Sequence, residues 1–331
     1  MNQMNILVTG GAGFIGSVTT AQLIEAGHHV VVYDNLSHGH KEAVDPKATF
    51  IQGDIADKEK VKSALIEYTI NAVVHFAAFI EAGESMQYPE RLFANNTVNT
   101  LNLLELLIAH DIRRFVFSST AAVYGNPKKI PIAEDSETLP TNAYGASKLL
   151  VEQTLSWYHQ IHGFRYAALR YFNASGATEN LGENHTPETH LIPLAIQAAT
   201  GKRKALQLYG TDYSTKDGTC VRDYIHVSDL ARAHVLALDA LETHTTGKLI
   251  YNLGSQHGFT NKEVIEAVGN VVGKRVPCED APRRTGDPAI LIASSEKIEK
   301  ELGWKAKFTN IEDIISSTYK WYLAHPQGYS S

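Results

Sequence analysis

In the first half of the chain, short runs of β-branched and other apolar residues alternate with longer amphipathic stretches. This alternation is typical of parallel strands that are joined by crossover helices. Strands are predicted at residues 5–9, 29–33, 49–53, 72–77, 114–119 and 166–171, and helices near 14–25, 58–68, 89–109 and 144–161. Because such crossovers are right-handed almost without exception, the pattern predicts an α/β fold with a doubly wound parallel sheet.

The pattern loosens after Asn173, where Gly, Asn, Thr and His dominate residues 175–190. Helices are predicted near 193–199, 228–241, 262–272, 294–302 and 311–324. We interpret residues 1–180 as a cofactor-binding domain and residues 181–331 as a smaller, mixed α/β substrate domain. Segments near 225–255 are expected to return to the first domain.

Composition narrows the class of protein. The 331 residues carry a net charge of −6 and are 44% hydrophobic, enough for one or two globular domains with a substantial core. The apolar runs fall short of the ~20 residues of a membrane span, and residues 1–5 lack the basic start of a signal peptide. Net acidity argues against a nucleic-acid partner. We therefore expect a cytoplasmic protein with no membrane or nucleic-acid partner.

Cysteine and histidine spacing points to no metal or disulfide. Cys220 and Cys278 stand far apart and form no CxxC pair, so neither a disulfide framework nor a zinc site is indicated. The tight histidine spacing His38-Gly39-His40 falls in a predicted loop without a matching set of ligands. We expect that loop to be solvated, and no metal site is predicted.

The first predicted strand runs directly into a glycine-rich turn, Gly10-Gly11-Ala12-Gly13-Phe14-Ile15-Gly16, which has GxGxxG spacing from Gly11 and GxxGxxG spacing from Gly10. Such glycines permit a tight turn and close approach of the backbone to a pyrophosphate, and the helix N-terminus that follows supplies N–H donors. The alternative is an ordinary glycine-rich turn. Its position between a strand and a helix favours the phosphate site of a Rossmann domain.

Aspartates end the next two predicted strands. Asp34 follows the glycine-rich turn by about 20 residues, where a carboxylate accepts hydrogen bonds from an adenosine ribose. The same carboxylate repels a 2′-phosphate, so the sequence favours NAD over NADP. Asp54 is placed to reach the adenine edge, and the alternative is that it caps the helix near Lys58.

The YxxxK spacing occurs at Tyr124–Lys128 and again at Tyr144–Lys148. Pro127 forbids a helix at the first, whereas the second opens an amphipathic helix in which side chains four residues apart are neighbours. An ammonium beside a phenol lowers the pKa of the tyrosine toward the working pH, so Tyr144 could take a proton from a substrate alcohol. A purely structural tyrosine and lysine is the alternative.

Thr120 is the third candidate catalytic residue, beside Tyr144 and Lys148. It follows Ser118-Ser119 at the carboxyl end of the fifth predicted strand, where open α/β sheets bind ligands. A hydroxyl there can hydrogen-bond the reacting oxygen. The alternative is that Thr120 only caps the strand end.

These residues together resemble the extended short-chain dehydrogenase/reductase family, and within it the members that invert C4 of UDP-hexoses. The resemblance covers essentially the whole chain. It also rests on Asp34-Asn35-Leu36, His75-Phe76-Ala77-Ala78, Gly83-Glu84-Ser85, Asn95-Asn96, Arg170-Tyr171-Phe172-Asn173 and residues 117–125, 217–227, 282–287 and 325–329. The last three segments are the most specific.

The resemblance implies a tightly held NAD. The residues that it assigns to the cofactor are Gly10, Gly13, Phe14, Ile15, Gly16, Asp34, Asn35, Leu36, Ser37, Gly39, Asp54, Ile55, Phe76, Ala77, Ala78, Asn95, Tyr144, Lys148 and Phe172. Those that it assigns to a UDP-hexose are Thr120, Tyr144, Asn173, His190, Leu191, Gln207, Tyr209, Arg222, Arg284, Asp287 and Leu291. A homodimer through helices near 91–109 and 147–162 is also expected.

The implied reaction is the interconversion of UDP-galactose and UDP-glucose, in galactose metabolism. NAD⁺ removes a hydride from C4 while Tyr144 accepts the 4-hydroxyl proton. The 4-keto sugar then turns over and takes the hydride back on its other face. Arg222 and Arg284 suit a diphosphate because guanidinium groups offer forked donors; the alternative is surface ion pairing with Asp223 and Asp287.

Two other classes of function compete with this one: a nucleotide-sugar reductase or dehydratase, and a catalytically silent NAD-binding regulator. Dehydration needs acidic side chains after the strand-end hydroxyl, where this chain has Ala121 and Ala122. The presence of Thr120, Tyr144 and Lys148 argues against a silent protein.

Departures from the pattern of the resembled family occur at three positions. Ile80 replaces a lysine that contacts the cofactor, and His190 stands where asparagine is usual. Leu291 replaces a tyrosine or cysteine that limits the sugar pocket, and its intermediate size predicts room for N-acetylated sugars.

Overall fold

The computed structural model describes residues 3–243, 246–284 and 286–329. Thr285, in one of the resembling segments, lies outside them. The strands are β1 (Asn5–Thr9), β2 (His29–Asp34), β3 (Thr49–Gln52), β4 (Ala72–His75), β5 (Arg114–Thr120), β6 (Arg165–Tyr171), β7 (Asn173–Ser175), β8 (Leu206–Tyr209), β9 (Val221–His226), β10 (Lys248–Leu253), β11 (Gly258–Thr260), β12 (Cys278–Ala281) and β13 (Ile290–Leu291).

The helices are α1 (Phe14–Glu25), α2 (Lys58–Glu67), α3 (Ala82–Ser85), α4 (Pro89–Leu92), α5 (Asn99–Ala109), α6 (Ala143–His162), α7 (Leu191–Ala199), α8 (Val227–Thr243), α9 (Asn261–Val272), α10 (Glu296–Leu302) and α11 (Ile311–Ala324). A π-helical segment, Phe93–Val98, joins α4 to α5, and short 3₁₀ turns occupy Lys41–Ala43 and Ala121–Tyr124. Among the described residues, no helix has both the length and the apolar character that crossing a bilayer requires.

Seven parallel strands form the central sheet, in the order β3, β2, β1, β4, β5, β6, β10. The predicted doubly wound sheet is therefore confirmed. The strand order reverses between β1 and β4, and ligands of open α/β sheets bind at such a switch point.

Apolar residues on the central strands are buried on both faces of the sheet. Ile6 and Val32 face a core that includes Leu230 of α8, whereas Leu7 and Val31 face a core that includes Leu104 of α5. Because successive side chains of a strand point to opposite faces, a continuous apolar run needs helices on both sides. Helices cover the two faces of the sheet. Because its strands are parallel, their carboxyl ends lie together at one edge.

The second half of the chain adds two small sheets. β9 pairs with β7, β11 and β13, and β8 pairs with β12. A third core packs α7 against α9 and α11 through Ile196, Val264 and Ile315. β10 leaves this part of the chain and lies parallel to β6 at the edge of the central sheet.

The single helix predicted over residues 89–109 is wrong, because the π-helical segment interrupts it. The side chain of Asn96 accepts from the backbone N–H of Phe79 and donates to the carbonyl of the same residue, at 2.8 and 2.9 Å. Thr97 donates to the Ser147 carbonyl at 3.1 Å. These bonds pin the wide turn against α6 and the loop that follows β4.

Candidate functional site

A cavity of ≈ 370 Å³ lies at the carboxyl edge of the central sheet. Its lining includes most of the predicted cofactor residues: Gly10, Gly13, Phe14, Ile15, Gly16, Asp34, Asn35, Ser37, Gly39, Asp54, Ile55, Phe76, Ala77, Ala78, Asn95, Tyr144 and Phe172. Of the predicted substrate residues, Thr120, Tyr144, Asn173 and His190 also line it. The cavity is within the size range of cofactor and ligand pockets.

The glycine-rich turn brings the backbone of β1 against that of β4. Gly10 has φ +71°, and a Cβ built on it would stand 2.6 Å from the backbone N of Ala77. A Cβ on Gly16 would collide with the carbonyl of Gly10. Gly13 precedes α1 and provides no side-chain cap. The N–H groups at the start of α1 therefore face the cavity as donors for an anion.

Asp34 ends β2 and turns its carboxylate into the loop of the cradle. Oδ2 accepts from the backbone N–H of Ala12 at 3.0 Å, and Oδ1 accepts from that of Leu36 at 2.8 Å. Burial raises the pKa of Asp34, and these two hydrogen bonds oppose that rise. Leu36 thus lies behind Asp34, outside the cavity lining to which the sequence assigned it.

Asp54 is not a helix cap. Asp57 caps α2 by accepting from the backbone N–H of Lys60, which removes the alternative considered for Asp54. Asp54 instead accepts from the side-chain amide of Asn35 at 2.8 Å and from the backbone N–H of Ala56 at 2.8 Å. It lines the cavity beside Asn35.

Thr120 and Tyr144 both line the cavity. Thr120 accepts from the backbone N–H of Ala122 at 3.1 Å, and its hydroxyl also bonds the Tyr144 phenol. Burial raises the pKa of Tyr144 to about 12, the hydrogen bond from Thr120 opposes this rise, and the charge of Glu81 adds to it. The expectation that Lys148 lowers the pKa of Tyr144 is therefore wrong for the chain by itself, because desolvation of the phenol dominates.

Lys148 is buried beneath the cavity floor. Its Nζ donates to the carbonyl of Ser118 at 2.9 Å and stands 5.0 Å from the centre of the Phe117 ring. Burial lowers the pKa of Lys148 from 10.5 to about 7. Lys148 and Tyr144 share one face of α6, but Lys148 lies outside the cavity lining.

The lowered pKa of Lys148 predicts how stability depends on pH. Between its folded value of about 7 and its unfolded value of 10.5, the folded chain binds fewer protons than the unfolded chain. Stability of the ligand-free protein therefore rises with pH over this window. From about pH 7 to 9 we expect this group to add up to about 1.4 kcal/mol per pH unit to the free energy of unfolding. Urea unfolding measures this slope, and an equal slope in Lys148→Met would contradict the assignment.

The other YxxxK match does not form a pair. Tyr124 ends a 3₁₀ turn and its buried hydroxyl donates to Oδ1 of Asn252 at 2.7 Å. Lys128 is exposed and pairs with Glu137 at 3.1 Å. As predicted, this sequence forms no helix.

A second group of predicted residues gathers on the small sheets, outside the cavity lining. Nη2 of Arg222 stands 3.8 Å from a carboxylate oxygen of Asp287, and the guanidinium of Arg284 lies 4.1 Å from the centre of the Tyr209 ring. Leu291 is the register partner of Arg222 on the adjacent strand. Gln207 lies on β8 with Tyr209 and donates to Glu279 at 2.8 Å, and Leu191 begins α7.

The ion pair of Arg222 with Asp287 is the one the sequence offered as an alternative. Its pairing with Asp223 does not form, because the Asp223 carboxylate accepts from Ser255, Gln256 and Ala293. At 3.8 Å the Arg222 contact is loose, so the guanidinium retains donors for another anion.

The loop between β7 and α7 brings a histidine and glutamate cluster to the cavity. Glu183, His185 and His190 line it. Nδ1 of His190 stands 2.7 Å from Glu183 and 3.1 Å from Glu188, and His185 stands 3.1 Å from Glu183. Burial alone would lower the pKa of His190, but the two carboxylates hold it well above its usual value.

The sequence pointed to His190 alone in this cluster. The spacing of acidic residues and histidines at 183, 185, 188 and 190 is the sequence signal that could have revealed the whole cluster. In the structure their ligand-type atoms lie within 4.8 Å of one another. Such donors suit a divalent cation by type, but here the carboxylates serve as partners of the imidazoles. The structure thus shows a charge-paired cluster. Ile80, named above as a departure at a cofactor position, also lines the cavity. The lining residues that the sequence did not assign are Tyr33, His38, Gly53, Phe79, Ser118, Ser119, Tyr171 and Ala174.

The His38-Gly39-His40 loop, which the sequence predicts to be solvated, is half-buried in the structure. His38 and Gly39 line the cavity, and Nε2 of His40 donates to the carbonyl of Asn184 at 2.8 Å. The His40 ring also lies 5.0 Å from that of Tyr329. The loop therefore lies at the wall of the cavity, against the segment that carries Glu183.

Comparison with known proteins gives concordant matches. The profile of the NAD dependent epimerase/dehydratase family matches residues 6–254. UDP-glucose 4-epimerase of Lacticaseibacillus casei is 49% identical over 98% of this chain and 99% of its own. The crystal structure of UDP-glucose 4-epimerase from Bifidobacterium longum in complex with NAD⁺ and UDP has a TM-score of 0.94 at 39% identity, covering 98% of this chain and 100% of that chain. The structure of the UDP-Glc/GlcNAc 4-epimerase from Campylobacter jejuni has a TM-score of 0.84 at 42% identity, covering 97% and 99%.

Proposed function

The chain belongs to the NAD dependent epimerase/dehydratase family, and from this premise we propose that it interconverts UDP-galactose and UDP-glucose with bound NAD. The proposal rests on one observation above all. Thr120 and Tyr144 meet in a cavity whose other end is the glycine cradle, so a proton acceptor and a dinucleotide site share one space. The role that we infer is in galactose metabolism.

The residues present fit NAD. The cradle has no room for a Cβ at Gly10 or Gly16, and the open start of α1 offers N–H donors to a pyrophosphate. Asp34 ends β2 in the position of a ribose acceptor, which selects against a 2′-phosphate. We assign the predicted cofactor residues on the cavity wall to NAD contact. Leu36 and Lys148 would act from behind that wall.

When bound, NAD⁺ would supply the hydride acceptor for C4 and a positive charge beside the phenol, and its reduced form would supply the hydride for the 4-keto sugar. The chain supplies the proton chemistry. Tyr144 acts as the phenolate: it first loses its own proton to solvent, an ionisation that nearby positive charge favours, and its oxygen then takes the proton of the 4-hydroxyl. Thr120 hydrogen-bonds the same oxygen of the sugar. Lys148, with its pKa near neutrality, provides an adjustable charge beneath the phenol. Tyr144 then returns the proton to the inverted 4-hydroxyl.

We assign the diphosphate and uridine of the substrate to the second group of residues. Arg222 and Arg284 present guanidinium groups, which suit phosphate oxygens. Asn173 lies on the cavity wall. It begins β7, which pairs with β9, the strand of Arg222. Asp287, Gln207, Tyr209, Leu191 and His190 complete the nucleotide end. An anchor at UDP leaves the hexose free to turn over.

The two positions that follow Thr120 in the chain carry no acidic side chain. The residues that follow are Ala121, which is buried, and Ala122, both in a 3₁₀ turn. Elimination needs an acid and a base at the sugar, so the alanines favour epimerisation over dehydration. The set Thr120, Tyr144 and Lys148 likewise favours an active enzyme over a silent regulator.

Incubation of the purified protein with UDP-galactose, without added cofactor, tests the function. Proton NMR is expected to show UDP-glucose with no net change in nicotinamide absorbance. Absence of UDP-glucose would refute the proposal. Loss of water would indicate a dehydratase, and net consumption of nicotinamide a reductase.

Leu291 predicts a wider choice of sugar. It is buried and packs in one cluster with Phe172 and Ala121, and Phe172 lines the cavity. A leucine occupies less volume there than the tyrosine of the resembled family. We expect UDP-N-acetylgalactosamine to be converted, and Leu291→Tyr to lower that rate more than tenfold while sparing UDP-galactose. Competition assays with both substrates measure the ratio. Conversion of UDP-galactose alone by the unaltered chain would contradict this prediction.

We propose that the protein is a homodimer through α5 and α6. Leu150, Trp157 and Ile161 are exposed on one face of α6, Trp157 by 62% and Ile161 by 67%. An exposed apolar stripe of this kind marks an interaction surface. Light scattering is expected to give twice the chain mass, and Trp157→Lys to give the monomer. A monomeric parent chain would refute the dimer.

We also propose a cytoplasmic location. Cys220 and Cys278 are free, and Cys278 is exposed, which suits a reducing compartment. Fractionation of the native host tests this proposal.

A further inference from the structure

A buried polar network joins the catalytic helix to the strand that carries Thr120. Glu152 lies on the same face of α6 as Lys148 and Tyr144, four and eight residues along the chain. Its side chain is 4% exposed and receives both arms of Arg170, at 3.0 Å to Oε1 and 2.6 Å to Oε2. Arg170 belongs to β6 and is itself 5% exposed.

The same carboxylate also bonds the end of β5. The hydroxyl of Ser119 donates to Oε1 of Glu152 at 2.5 Å. Ser119 precedes Thr120, lines the cavity, and is the register partner of Arg170 in the sheet. One carboxylate on α6 therefore joins two adjacent strands at the level of the catalytic threonine.

The network continues away from the site. Nη1 of Arg170 donates to the Tyr124 hydroxyl at 2.7 Å, and that hydroxyl donates to Asn252 of β10 at 2.7 Å. Three adjacent strands, β5, β6 and β10, thus share one set of bonds with α6. Each of these side chains is buried.

We infer that Glu152 and Arg170 are positioning residues, which set the height of α6 along β5 and thereby the approach of Tyr144 to Thr120. A buried ion pair contributes little net stability compared with apolar side chains of similar size, so its location beneath the site is the informative feature. Two points tie α6 to β5 near the reacting atoms: Lys148 to the carbonyl of Ser118, and Glu152 to the hydroxyl of Ser119. Displacement of a catalytic group by about 1 Å costs up to a hundredfold in rate.

Ser119→Ala tests the link without leaving a charge unpaired. We expect kcat for UDP-galactose to fall about tenfold, with KM and bound NAD within twofold of the parent. Ser295→Ala is the matched control, since Ser295 is also a fully buried serine whose hydroxyl donates to a carbonyl, that of Gly254, at 3.0 Å. The control is expected to lose similar stability and to keep kcat.

The double variant Glu152→Met with Arg170→Met removes the ion pair and retains side-chain volume. We expect it to fold, to bind NAD, and to lose about a hundredfold in kcat. Should it fail to fold, Ser119→Ala decides the question. Hydrogen–deuterium exchange of residues 143–150 provides a readout that needs no turnover, and faster exchange is expected in both variants.

The inference rests on the proposed epimerase function, and the outcomes separate the two. A parent chain that does not convert UDP-galactose refutes the function, while the exchange data still decide the positioning role. An active parent with unchanged kcat and exchange in Ser119→Ala overturns the inference. The inference is also overturned if Ser119→Ala lowers kcat, weakens substrate binding and lowers NAD content to the same extent, and if Ser295→Ala does the same. Such a result would indicate a general structural role.

Discussion

Tyr144→Phe is expected to lower kcat for UDP-galactose by about 10²–10⁴, the range that a positioned general base contributes. The substitution removes the one atom that takes the 4-hydroxyl proton and leaves the ring in place. Two other tyrosines line the cavity, but their hydroxyls are held elsewhere: that of Tyr171 bonds Nε2 of His234, and that of Tyr33 donates to the carbonyl of Asp54 at 3.1 Å. Coupled assay of UDP-glucose formation measures the loss.

Binding separates this effect from damage to the fold. NAD content and the affinity for UDP should change less than threefold in Tyr144→Phe, since the cradle and the arginines lie elsewhere. Tyr166→Phe is the control, because Tyr166 is fully buried in β6 and has no assigned part in the reaction. Full activity in Tyr144→Phe would exclude the proposed mechanism.

Gly10→Ala is expected to abolish the retention of NAD. Two costs combine at this position. Gly10 has φ +71°, a region that costs other residues roughly 1–2 kcal/mol. A Cβ would also stand 2.6 Å from the backbone N of Ala77, so β1 and β4 would have to separate where the cofactor is expected to bind. The NAD released by acid denaturation, per mole of chain, measures retention.

Gly27→Ala carries only the backbone cost, so its comparison with Gly10→Ala isolates the cost of the steric clash. Gly27 also has a positive φ, +93°, but a Cβ there would meet nothing within 4 Å. The control is therefore expected to lose stability through backbone strain and to retain NAD. Equal retention in the two variants would show that the close approach of β1 and β4 does not shape the cofactor site.

Most of the secondary structure could be predicted because it depends on local patterns. Buried parallel strands appear as short apolar runs, and the predicted bounds of β1, α1 and α11 agree with the structure. The π-helical segment could not be predicted. Apolar periodicity does not reveal one extra residue per turn, and that turn is stabilised by the contacts of Asn96 and Thr97 with distant segments.

The candidate site, too, has a part that local motifs predict and a part that depends on distant segments of the chain. Gly10, Asp34, Tyr144 and Lys148 could be identified because each belongs to a motif of a few residues beside a strand or helix end. The contacts of His40 with Asn184 and Tyr329 could not be predicted, since those two residues lie far away in the chain.

The sequence by itself determined the parallel α/β sheet, the glycine-rich turn and the place of Tyr144 and Lys148 on one face of α6, because backbone geometry and helix periodicity act over a few residues. Only the tertiary structure decided the charge states at the site. Burial raises the pKa of Tyr144 to about 12 and lowers that of Lys148 to about 7. Desolvation depends on everything packed around a group, and the polar bonds of Glu152 to Ser119 and Arg170 form only when helix and sheet meet.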